Sequence, residues 1–94
     1  MIRLFIHHQV SDFNKWKMMF DASEPIRKKY GEKTHQIFRS TSDLNDVTVL
    51  FEWNEVKNAV QFVKSPEVRE AMKMAGVVGS PTIYLVNEDL GGLA

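Results

Sequence analysis

Polar and apolar positions repeat with two different periods along this chain, and the switches between them lay out its elements. From Ile2 to Gln9 the residues alternate between two faces, Ile2-Leu4-Ile6-His8 and Arg3-Phe5-His7-Gln9, which is the period of a strand. The period then lengthens. Ser11 reads as a helix N-cap with Asp12 in the first turn, and Phe13, Trp16 and Phe20 follow at i, i+3 and i+7, one apolar stripe of a helix. Pro25 lies too deep to open that helix and is expected to end or kink it, with Ser23 restarting a short turn. Lys28 and Lys29 followed by Gly31 give the cations and the glycine of a helix C-terminus.

Lys33 to Ser40 is expected to be a second strand, and Thr41 to Asp46 carries turn residues. Val47 to Trp53 is a third strand, with Val47, Val49, Phe51 and Trp53 on one face and Thr48, Leu50 and Glu52 on the other. Asn54 reads as the cap of a helix that places Val56, Ala59, Val60 and Val63 on one side. Ser65-Pro66 restarts that helix, Val68, Ala71, Met72 and Ala75 repeat its spacing, and Gly76 stops it. Gly76 to Pro81 reads as a connector, Pro81 to Val86 as a last strand, and Asn87 to Ala94 as a polar tail. A glycine-rich phosphate loop would need the opposite order, strand then loop then helix.

The order β-α-β-β-α-β defines an α+β, ferredoxin-like domain: a four-stranded antiparallel sheet, strand order 4-1-3-2, with helices on one face. Such a sheet should alternate apolar-in and polar-out on its uncovered face. Here that face carries Phe5, Leu50 and Tyr84 or Val86 among Arg3, His7 and Glu52, so it reads as a binding surface or half of a second core.

Composition sharpens this. The 94 residues fit one domain, 1–94, and a chain of that size has a modest core. There is no cysteine, which removes disulfides and thiolate metal sites and fits a cytoplasmic location. Association is then the common remaining source of stability, and a homodimer is expected. Twelve basic residues balance twelve acidic ones, which argues against a nucleic-acid partner. No apolar run approaches a membrane span, and no secretory signal opens the chain.

The stretches "VSDFNKWKMMFD", "FEWNEVKNAVQFVKSPEVREAM" and "AGVVGSP", in this order and spacing, resemble the dimeric α+β barrel superfamily over Ile2 to about Asn87. That superfamily includes antibiotic-biosynthesis monooxygenases and cyclase-like small proteins. The resemblance implies two sheets packed face to face across a two-fold axis, with the uncovered faces lining a cavity. It also implies a range of chemistry, from cofactor-independent oxygenation to isomerisation. The cofactor-free monooxygenases use asparagine, tryptophan and arginine around a phenolic substrate. Trp53-Asn54 ends the third strand, but those roles are not carried onto it.

The candidate residues follow from the faces. "HH" at His7-His8 suggests a metal, but neighbours in a strand point to opposite sides and cannot share one ion. His7 is the expected base on the open face, with Arg3 stabilising an enolate-like anion and Tyr84 orienting it. Phe5, Leu50, Glu52 and His35 are expected to contact the ligand, with Glu52 paired to Arg3. His8 is expected to be structural or solvated and to titrate as a free histidine. A metal set would need His7, Glu52 and His35 on one face, and no metal-ligand spacing is present, so neither metal nor cofactor is expected. "RKKY", Arg27 to Tyr30, reads as a solvated helix end. The expected function is a homodimer with a cavity for an apolar or aromatic small molecule, possessing cofactor-independent monooxygenase or cyclase/isomerase-like activity; the alternative is a non-catalytic ligand-binding or dimerisation module.

Overall fold

The computed structural model describes residues 2–87, so the tail expected beyond Asn87 lies outside the described residues. The elements run β1 (Ile2–Val10), α1 (Phe13–Ala22), α2 (Glu24–Tyr30), β2 (Thr34–Arg39), β3 (Asp46–Trp53), α3 (Val56–Lys64), α4 (Pro66–Met74) and β4 (Val77–Asn87). The sheet is antiparallel with order β2-β3-β1-β4, the order expected from the sequence. Each helical crossover is two helices, because Pro25 and Pro66 lack the N–H that a continuing helix would use and instead sit in the first turn of α2 and α4.

Several local assignments differ from the sequence reading. The cap of α1 is Asp12, whose carboxylate accepts from the N–H groups of Asn14 and Lys15 at 2.9 and 3.3 Å. Ser11 instead follows directly on β1 and donates its N–H to the Gly76 carbonyl at 3.0 Å. The cap of α3 is Glu55, one residue after Asn54, and makes no side-chain capping bond. The largest correction is β4, which begins at Val77 rather than Pro81. Its pairing with β1 jumps from His7↔Thr82 to Gln9↔Val78, so Gly79, Ser80 and Pro81 bulge opposite His8. Pro81 is tolerated inside the strand because a bulge needs no ladder N–H there. Gly79 takes the left-handed conformation, φ 72°, that the bulge requires.

The core lies between the helices and one face of the sheet. Ile2, Leu4, Ile6 and Val10 of β1 and Val47, Val49, Phe51 and Trp53 of β3 are buried there with Trp16, Phe20, Ala59, Phe62 and Val68. The strand period puts alternate residues on that face, and the helix stripe supplies its cover. No helix among the described residues is long and apolar enough to cross a membrane.

Candidate functional site

The uncovered face holds most of the residues singled out in the sequence. The register places Arg3 against Glu52, Phe5 between Leu50 and Tyr84, and His7 between Thr48 and Thr82. Arg3 lies 3.6 Å from Glu52, and Glu52 accepts a hydrogen bond from the Thr34 hydroxyl at 2.6 Å. His7 pairs with Asp46 across the β1–β3 ladder rather than with Arg3 or Glu52. Arg3 and His7, four residues apart on one strand, are separated by about 13 Å with Phe5 between them. Tyr84 is 60% exposed. The structure therefore spreads His7, Arg3 and Tyr84 over the face, each in its own environment, and does not converge them on one reacting atom.

His35 is on the other side. It pairs with Phe51, stacks edge-on against Phe20 with centroids 5.0 Å apart, and lies 2.9 Å from Glu32 through Nδ1. It cannot join Phe5, Leu50 and Glu52 as a ligand contact on the open face, because the pleat sends it towards the helices. His7, Glu52 and His35 accordingly do not form a common metal set.

The covered face holds a partly open cavity of about 60 Å³ between helices and sheet. Aromatic and thioether side chains dominate its wall: Trp16, Met19, Phe20, Phe51, Phe62 and Met72. Trp16 stacks on Phe20 with centroids 5.0 Å apart. His8 reaches this cavity from β1 and meets Trp16 edge-on at 5.6 Å. It is buried, and its Nδ1 has no hydrogen-bond partner among the described residues. Burial in this apolar wall holds the imidazole below its ordinary pKa, so the neutral ring is favoured; the neighbouring His7 adds to that direction, whereas a bond to the backbone and the charge of Asp46 oppose it. The expectation that His8 titrates freely is thus overturned. The bulge gave no sequence warning, since a strand assigned from Pro81 leaves His8 near an open end.

Arg27 lines the same cavity and is 3% exposed, which corrects the solvated reading of Arg27 to Tyr30. Its guanidinium lies 3.8 Å over the Phe20 ring, and its Nη1 donates to the Phe20 carbonyl. Nε approaches the Glu32 carboxylate at 3.3 Å. That carboxylate is completely buried and also faces His35 and, at 3.6 Å, Lys28. A buried carboxylate is costly unless paired, and Arg27 and Lys28 supply the opposite charge. A signal for Arg27 was present: Phe13, Trp16, Phe20, Ser23 and Arg27 continue one stripe with steps of three and four, straight through the break at Pro25.

No protein-family model matches the chain, and no curated protein matches its sequence. Solved structures do match in fold. A candidate antibiotic biosynthesis monooxygenase from Bordetella bronchiseptica superposes with a TM-score of 0.76 at 18% identity, covering 95% of this chain and 97% of that one. SnoaB, a cofactor-independent oxygenase from Streptomyces nogalater, gives 0.71 at 11% identity over 96% of each chain. A protein of the same kind from Caulobacter crescentus CB15 gives 0.72 at 15% identity, covering 94% and 89%. The chain therefore has the ferredoxin-like α+β fold of antibiotic biosynthesis monooxygenase-like proteins.

Proposed function

We propose that this chain acts as a homodimer that binds a small planar, phenol-like molecule in the cavity between helices and sheet and oxygenates it without a cofactor. The observation that carries the reading is His8: a buried imidazole, biased to its neutral form, with an unpartnered Nδ1 in an aromatic wall. A neutral imidazole in an apolar pocket accepts the phenol proton, and the phenolate so formed is electron-rich enough to reduce dioxygen. One oxygen atom enters a ring carbon ortho to the hydroxyl. The other leaves as water with the two hydrogens lost from that carbon and from the hydroxyl. The likeness to SnoaB, a cofactor-independent oxygenase, supports this class of reaction.

The cavity is smaller than the roughly 150 Å³ that accepts benzene, so a ring enters as lining side chains shift. Met19 and Met72 are suited to that, being unbranched and flexible. Arg3, Phe5, His7, Leu50, Glu52 and Tyr84 belong in this proposal to the surface buried between the two copies. Phe38, Tyr84 and Val86 are exposed on that face in the single chain, which supports its being covered.

Phenol and 1-naphthol serve as probes. Each is expected to shift the NMR signals of the Trp16 indole and the Met19 and Met72 methyl groups, and an oxygen electrode is expected to record uptake that His8→Gln abolishes. Shifts confined to Phe5, Leu50 and Tyr84 would move the site to the open face. Binding without oxygen uptake would leave a non-catalytic ligand-binding protein.

A further inference from the structure

We infer that Arg27 is a specificity-determining cation, and that the molecule taken up by the cavity carries an acidic group at the end away from His8. The inference rests on the cavity being the binding site, as proposed above.

Three observations lead there. The first is placement. Arg27 lies on the cavity wall, whereas Glu32, Lys28 and His35 do not, so its counter-charge stands outside the lining. A pair arranged this way presents its positive end to the cavity even though the pair is neutral. The second is rigidity. Stacking on Phe20, the bond to the Phe20 carbonyl and the contact with Glu32 fix the plane of the guanidinium on three sides. A cation held in place before the ligand arrives loses little freedom on binding, and its fork geometry suits a carboxylate or an enolate. The third is the charge around it. The cavity lining contains no Asp or Glu, and His8, at the other end, favours its neutral form, so nothing on the wall repels an anion.

His8 meets Trp16, and Arg27 meets Phe20. The Trp16 and Phe20 rings stack with centroids 5.0 Å apart, so His8 and Arg27 each touch one member of the same aromatic pair. A single ring carrying a hydroxyl at one end and an acidic group para to it directs one polar group to each of these residues. The substrate class is therefore an aromatic or enolic acid of one ring, with the acid at Arg27 and the ionising hydroxyl at His8.

The probes are 4-hydroxybenzoate and its neutral relative 4-hydroxybenzamide, titrated into the full chain at neutral pH with the indole and methionine methyl signals as readout. The benzoate is expected to bind at least tenfold more tightly and to shift the Arg27 Nε–H signal, which the benzamide leaves in place. Arg27→Gln is expected to bring the two affinities within about twofold, with little change for the benzamide. Arg27→Lys, which keeps the charge and loses the fork, is expected to retain part of the preference and also serves should the glutamine variant not fold. Lys29→Gln removes an exposed cation that pairs with Glu67, and is expected to leave the preference intact. Equal affinity of the two probes in the wild-type chain would overturn the role of Arg27 while leaving the cavity as the site. Failure of both probes to move the cavity signals would overturn this inference and the proposed function together.

Discussion

Replacing Trp53 separates two contributions that the structure places in one side chain. Trp53 is wholly buried, with its ring centroid 5.1 Å from that of Phe62 and 6.2 Å from that of Phe51. Its indole Nε1 has no hydrogen-bond partner among the described residues. Trp53→Ala removes the whole ring from a packed site and should cost about 3–5 kcal/mol. A 94-residue chain has a total stability of roughly 5–14 kcal/mol, so this one truncation takes a large share of it. Trp53→Phe behaves differently. It leaves a void of about 40 Å³, worth about 1 kcal/mol, and at the same time removes a buried donor whose lack of a partner costs about 1–3 kcal/mol. The two effects oppose, and the phenylalanine variant should lie within about 1 kcal/mol of the wild type. Urea unfolding at one fixed protein concentration measures both, because association would otherwise shift the apparent stability. If Trp53→Phe cost as much as Trp53→Ala, the indole N–H would have an important partner and the reasoning would fail. An unchanged midpoint for Trp53→Ala would remove the residue from the core altogether.

Light scattering at micromolar concentration should give twice the chain mass of 10.8 kDa, and a monodisperse monomer would exclude the covered open face. For His8, the native pKa lies below the ordinary 6.5, so between the two values the unfolded chain binds more protons and stability falls as the pH drops below about 6.5. Comparing urea midpoints of the wild type and His8→Gln from pH 7.5 to 5 should show a steeper acid loss in the wild type, and parallel curves would refute it. Gly76→Ala should be the costlier of two glycine changes, because its φ is 86° and a Cβ would meet the Ser11 hydroxyl at 2.6 Å; Gly79→Ala, at φ 72° with open space around it, should cost about 1 kcal/mol in thermal melts. Asp12→Ala removes the cap of α1 and should cost about 1 kcal/mol, read in the same way.

The sheet was legible because β1 and β3 repeat every second residue without interruption, which fixed both the strand order and the faces of Phe51, Trp53 and Leu50. The site was less so. His8 looked peripheral because its burial depends on β4 reaching past it through a bulge, and Pro81 hides that reach from a local reading. Arg27 looked solvated because charge outweighed spacing, although its place on the Trp16–Phe20 stripe pointed inward. His35 had no decidable face, since β2 lacks a clean alternation of apolar and polar residues. For His8 and His35 the missing information was a long-range neighbour, β4 and Phe20 respectively.

The kink in β4 also bears on how copies of this chain meet. An outer strand with apolar side chains on both faces, such as Ile83 and Leu85 on one and Tyr84 and Val86 on the other, invites further strands to add along its rim without limit. Proline and the left-handed glycine interrupt that rim at 79–81, so an added strand has only the stretch beyond Pro81 to zip onto. Growth into a fibre is thereby disfavoured, which is consistent with the face-to-face homodimer proposed above. Pro81 and Gly79 thus act as a brake on edge-to-edge addition that leaves the two sheet faces untouched.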